Sequence, residues 1–441
     1  MKSSEDIISV IKAQKPFLLT GSRTSTVIPF EKLEHVLKDF EGDIVDLGQI
    51  PSQMELFENG NLVIRGAVSW KDARDYCWSK GREIMTSPTE ELALVLSGLA
   101  TSCTGERCFG LGTLREQVVR LKYVDFRGEV QELHAEKLLQ DHSLFKQKLN
   151  LLQEYQASYE AFIHYKNAPF PRLKTECDLM IGFEGQLGVI IEAELKTREH
   201  KDLTYIFVSL PKWESNDRPH LELYSKVQSF RDKVISCELI DENSWQYLPE
   251  NERPVVGRDT VFLEVETEHF ENVYENLLGQ LELISSDDMF EMNATKCREF
   301  RVKVPRAIFE VNSRMGVTKK GTDAQVDADH FKNLFMVYRD WAKRGIKYNL
   351  FGHFGDAHLH FNFMPTPSEE SQSEEWLTEL YHLVLAWKGS PFAEHGIGIL
   401  KQKFIGPFYQ DVHLNMFDFL KRNLDPQNIF FPIGFMKARR P

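Results

Sequence analysis

The chain has 441 residues, 42% of them hydrophobic and 27% charged, which suits a globular enzyme of two or three domains and excludes a mainly disordered chain. Its net charge of −13 argues against nucleic acid as the main partner, because phosphate backbones call for a basic surface. No stretch reaches the roughly 18 apolar residues that a bilayer span needs, and none of the cysteines forms a CxxC pair, which excludes zinc-ribbon and thioredoxin-type sites.

In chain order, the N-terminal MKSSEDIISVIKAQKPFLL breaks its apolar run with acidic residues, unlike a secretory signal. Together with scattered cysteines, this predicts a cytoplasmic protein. Short apolar runs at 17–19, 44–47 and 61–65 predict strands, and 70–80 predicts a helix closed by Gly81. Residues 118–126, a turn at Arg127-Gly128 and 129–133 predict a hairpin, followed by a polar, helix-prone insertion over 135–160. Further on, 203–210 and 260–266 read as strands, and 218–227, 269–284 and 331–344 as helices. The acidic 368–375 (SEESQSEE) reads as a solvated linker.

The most chemically loaded text is Gly352 to Phe363, GHFGDAHLHFNF. After the Gly355-Asp356 turn, strand alternation puts His358, His360 and Asn362 on one face and Leu359, Phe361 and Phe363 on the other. His353 precedes the turn and can fold back toward His360. A lone histidine on such a strand is ordinarily a satisfied polar residue. Three of them, followed downstream by Glu394-His395 in a glycine-flanked turn, point instead to a divalent metal site with an open position.

Those segments resemble motifs of the FAD-linked D-2-hydroxy-acid dehydrogenases, the family of D-lactate dehydrogenase, the glycolate oxidase FAD subunit and D-2-hydroxyglutarate dehydrogenase. GHFGDAHLHFNF is similar to GHxGDGNLHxN, and Ser390 to Lys401 (SPFAEHGIGILK) to the family's GEHG turn. Leu424 to Ile429 resembles LDPxxI, and Asp178 to Glu192 (DLMIGFEGQLGVIIE) resembles DLxxGSEGTLGIIT. Thr104 to Arg107, with Gly112 to Glu116, resembles SGxR…YGxxRD.

The resemblance implies an α+β protein of the vanillyl-alcohol-oxidase type. It would have a two-part FAD-binding (PCMH-type) domain over 1–199, an α+β cap with an antiparallel sheet over 200–385, and a segment over 386–441 returning to the flavin domain. It implies FAD at Gly21, Ser22, Arg23, Thr24 and Ser25, at Gly105 and Gly112, and at Gly185, Gly188 and Val189. His353, His360 and Glu394 would hold zinc, manganese or iron, and His395 would be the base. Arg301 and Asn362 would bind the substrate, with Lys320 a looser candidate. The expected reaction is oxidation of a small hydroxy acid by hydride transfer to flavin, with electrons passed to a further acceptor.

Departures cluster at the flavin. The first phosphate loop keeps one glycine, Gly21, where the family has several, and Leu96-Ser97 stand where it has paired glycines. Phe431 and Ile433 replace asparagine and glycine, and Ala357-His358 replace Gly-Asn beside the metal motif. His358 is either an extra ligand or a reshaping of the pocket. These changes leave open an alternative, a homologue without FAD that keeps a metal and carboxylate pocket for a non-redox role.

Overall fold

The computed structural model describes residues 3–24, 27–28 and 40–436. The chain forms two units. Unit 1 takes in Met1–Thr104, Thr113–His200 and Phe392–Pro441, and unit 2 takes in Gly105–Gly112 and Lys201–Pro391.

In unit 1 the strands are β1 (Phe17–Thr20), β2 (Asp43–Asp46), β3 (Gln53–Leu56), β4 (Leu62–Arg65), β5 (Arg82–Ile84), β6 (Val118–Val124), β7 (Val130–His134), β8 (Val189–Leu195) and β9 (Thr197–Glu199). An antiparallel sheet runs β3-β4-β8-β6-β7, while β1 and β2 pair in parallel and β5 pairs with β9. The β6–β7 hairpin closes where Asp125 accepts from the backbone of Arg127 and Glu129, with Gly128 at φ +76°. Ile7, Ile11, Phe17, Val45, Val124, Val189, Ile429 and Phe430 form a core here. The C-terminal tail reaches it by pairing with β1: Phe17 N donates to Ile429 O and Phe431 N to Phe17 O. Asp425 shapes that return by accepting from the backbone N–H groups of Ile429 and Phe430 and from buried Lys421.

Unit 2 is built on one antiparallel sheet. Its strands are β10 (Leu203–Leu210), β11 (Val234–Ile240), β12 (Asp259–Glu266), β13 (Met289–Asn293), β14 (Lys320–Gly321), β15 (Tyr348–His353) and β16 (His358–Phe363), in the order β13-β10-β12-β11-β15-β16-β14. Tyr205, Phe207, Ile240 and Phe262 pack with Trp245 and with Phe300, Val304 and Ile308 of the helix Ala294–Met315. Phe361 packs against Tyr338 and Trp341 of the helix Ala328–Lys343. Each such side chain is worth about 1.5–3 kcal/mol of burial.

One expectation is corrected. The acidic run does not form a linker, because from Glu370 it opens the helix Glu370–Ala386. Its buried residues Trp376, Leu377, Leu380, Tyr381 and Val384 follow helical spacing, and carboxylates are favourable in a first turn.

Candidate functional site

The histidine strand forms a hairpin with its neighbour inside unit 2. β15 and β16 pair with His353 opposite His358, Phe351 opposite His360 and Asn349 opposite Asn362. Ala357, in the left-handed conformation at φ +51°, joins the turn to β16. Gly352 is required where it stands, since a Cβ there would lie 2.9 Å from the ring of His360. The pairing gathers three imidazoles on one face. Ring centroids are 5.2 Å apart for His353–His358, 5.6 Å for His353–His360 and 4.7 Å for His358–His360. All three are buried, and each offers a nitrogen within 4.8 Å of those of the others.

Each ring is held by an oxygen acceptor. His353 Nδ1 lies 2.8 Å from Glu238 Oε1, His360 Nδ1 lies 3.1 Å from the Thr322 carbonyl, and His358 Nε2 lies 3.1 Å from Asp323 Oδ1. A carbonyl or a carboxylate accepts only, so the ring proton sits on the nitrogen facing it. The lone pair then sits on Nε2 of His353, Nε2 of His360 and Nδ1 of His358. That donor set fits a first-row divalent cation.

The three groups expected to bind substrate are all engaged within unit 2. Arg301 pairs with Glu238 and, at 2.7 Å, with Glu106. Asn362 Nδ2 donates to Asn349 Oδ1 at 2.9 Å and to the His360 carbonyl at 3.2 Å, which makes it a tie within the hairpin. Lys320 meets Glu370 and Glu374. The substrate role expected of these groups therefore competes with existing partners, most strongly at Arg301, where buried Glu238 and half-buried Glu106 already balance the guanidinium.

Glu394 and His395 lie in unit 1, Glu394 buried and His395 exposed. Their turn is fixed from below. Glu184 accepts from Ile397 N at 2.5 Å and from Gly398 N at 2.9 Å, and Asn167 donates to the Ala393 carbonyl at 2.9 Å. Gly396, at φ +74°, leaves no room for a Cβ, which would lie 2.7 Å from Glu184 Oε1. Burial pushes the Glu184 carboxyl up to about 7, against the opposing backbone N–H groups of Ile397 and Gly398. An open cleft beside it is lined by Ser102, Arg115, Asn167 and Glu184 among others.

The expected flavin residues have mixed settings. Gly21 follows β1, and a Cβ there would come within 2.7 Å of Ser97 Oγ, so the loop and that hydroxyl approach closely. The Thr20 hydroxyl, buried at the end of β1, has no hydrogen-bond partner among the described residues. Arg23 takes the left-handed conformation at φ +57°, making with a side chain a turn that the family makes with glycine. Hydroxyls and close backbone of this kind fit a phosphate. Ser22 and Thr24 share that loop, and Ser25 lies outside the described residues. Gly185 sits at φ +74°, Gly188 packs on the Tyr123 ring, and Val189 is a core residue that can offer only its backbone. Gly105 and Gly112 bound the short stretch belonging to unit 2.

Glu238, Asp323 and Glu184 were not singled out from sequence. Glu238 did leave a signal, a lone acid in the apolar strand Val234–Ile240.

The family model of FAD linked oxidases, C-terminal domain, matches residues 225–433. The chain is 27% identical over 58% of its length to a mitochondrial protein of Schizosaccharomyces pombe named as a D-lactate dehydrogenase, and spans about half (52%) of that relative. It is 21% identical over 99% of its length to a mitochondrial D-lactate dehydrogenase (cytochrome) of Saccharomyces cerevisiae, covering 71% of it. Among solved structures, alkyldihydroxyacetonephosphate synthase superposes with a TM-score of 0.67 at 12% identity, over 99% of this chain and 75% of its own, which speaks to the fold alone. The relatives overturn the cytoplasmic expectation. Both named dehydrogenases, and matching proteins of Arabidopsis thaliana, Kluyveromyces lactis and Rattus norvegicus, are mitochondrial by name. An N-terminus unlike a secretory signal tests secretion only. No helix among the described residues is long and apolar enough to cross a membrane.

Proposed function

Because residues 225–433 match the FAD-linked oxidase family, we propose that the chain oxidises a small D-2-hydroxy acid to the 2-oxo acid, with FAD in unit 1 and a divalent metal on His353 and His360 in unit 2. FAD supplies the two-electron oxidation, and zinc, manganese or iron supplies the Lewis acidity that lowers the pKa of an alcohol.

The observation that carries the reading is the oxygen acceptor behind each of the two imidazoles. Glu238 and the Thr322 carbonyl accept from Nδ1 of His353 and His360, which leaves Nε2 of each ring as the nitrogen to offer a metal. His395, on the exposed turn braced by Glu184 and Asn167, takes the hydroxyl proton of the substrate at a ring nitrogen. In this reading Arg301 steadies Glu238, and through it His353, while Asn362 fixes the spacing of the hairpin. Electrons then pass to a separate acceptor.

The test is anaerobic mixing of the flavin-loaded protein with D-lactate, glycolate and D-2-hydroxyglutarate in turn. At least one should bleach the visible flavin band. Protein that stays yellow with all three contradicts the proposal.

A further inference from the structure

We infer that His358 is a third imidazole ligand of the metal, positioned by Asp323, so that unit 2 by itself presents three nitrogen donors from one hairpin. The inference rests on the metal reading above and extends it to a residue where this chain departs from the motif it resembles.

Three observations carry it. The first is placement: His358 is the register partner of His353 across β15–β16 and stands two residues from His360 on β16. The three side chains therefore rise from neighbouring points of one sheet face, as a set capping one side of an ion must. The second is protonation. Asp323 Oδ1 lies 3.1 Å from Nε2 of His358, both residues being fully buried, and a carboxylate in that position keeps the ring proton on Nε2. Nδ1 is then the nitrogen with the lone pair, and each of the three rings offers one nitrogen within 4.8 Å of those of the other two.

The third observation is the shared pattern of support. Glu238 for His353, the Thr322 carbonyl for His360 and Asp323 for His358 are three versions of one device, an oxygen acceptor behind a ligating imidazole. Thr322 and Asp323 are consecutive in sequence, so one backbone segment braces two of the rings. A histidine kept only to fill space would not need a buried carboxylate to fix its tautomer. Buried ionisable groups are costly unless paired.

Three neutral nitrogens favour borderline cations such as zinc, cobalt or copper over magnesium or calcium, which prefer oxygen. The test titrates metal-stripped full-length protein with cobalt(II), reading the visible d–d bands and the affinity. His358→Asn should weaken cobalt binding by roughly 100-fold and alter the bands, and Asp323→Asn should weaken it by about 10-fold. Bands and affinity unchanged in His358→Asn overturn the inference.

A second measurement guards against misfolding of the variants. Wild-type protein loaded with copper(II) and labelled with 15N-histidine should show at least three coordinated imidazoles by pulsed electron paramagnetic resonance, and two or fewer overturn the inference. Wild-type protein that takes up no metal overturns both this inference and the metal part of the proposed function. Metal held by the wild-type protein through no more than two imidazoles overturns this inference alone.

Discussion

Glu238 serves two residues at once: Oε1 lies 2.8 Å from Nδ1 of His353, and Oε2 accepts from Arg301. One buried carboxylate thus couples a candidate metal ligand to a cation on the helix Ala294–Met315. Replacing it with glutamine keeps an acceptor for the imidazole but removes the charge. Glu238→Gln is expected to lower metal affinity about 10-fold while the fold persists, as read by calorimetric titration and circular dichroism. Unaltered affinity would contradict the role given to Glu238.

Arg301 answers a different question. With buried Glu238 and half-buried Glu106 as its partners, its removal takes the opposing charge from both carboxylates, so Arg301→Met should cost on the order of 3 kcal/mol by urea denaturation. A substrate-binding arginine would instead raise KM with little loss of stability. Measuring both quantities in the one variant separates the two roles.

The turn carrying His395 depends on glycine. At Gly396 the backbone is left-handed and a Cβ would clash with Glu184, so Gly396→Ala is expected to destabilise unit 1 by about 1–3 kcal/mol. Because the same turn carries the proposed base, kcat should fall more than KM changes. A variant with wild-type kcat would separate His395 from the chemistry.

His413 gives a pH dependence of stability. Gln410 N donates to its Nδ1 at 2.9 Å and Ser158 Oγ lies 3.0 Å from Nε2, so the neutral ring satisfies both neighbours. Burial lowers its pKa from 6.5 to about 4. Between those values the unfolded chain binds a proton that the native chain refuses, so stability declines as pH falls from 6.5 toward 4. The loss should amount to roughly 2–3 kcal/mol and should shrink in His413→Gln, as measured by urea denaturation across that range. Identical pH profiles for the two proteins would contradict this account.

What could be read from sequence, and what could not, follows from how local each signal is. The alternation from His358 to Phe363 and the Gly355-Asp356 turn lie within a dozen residues, and they specify the hairpin and its two faces. The supports do not behave that way. Glu238 is 115 positions from His353, Asp323 is 35 from His358, and Arg301 is 63 from Glu238, so no periodicity could join them. Arg301 illustrates the consequence: the motif suggested a cation for the substrate, and only the fold supplied its two carboxylates. The acidic stretch before Trp376 misled for another reason, since charge composition outweighed the apolar spacing that begins one turn later.

In the proposed reaction, redox turnover depends on a metal held by His353 and His360. Its most direct measurement follows the rate of flavin reduction by a D-2-hydroxy acid in native, chelator-stripped and re-metallated protein, with metal content determined on the same samples. The rate should fall at least about 100-fold on stripping and return with the metal. Stripped protein that reduces its flavin at the native rate would contradict it.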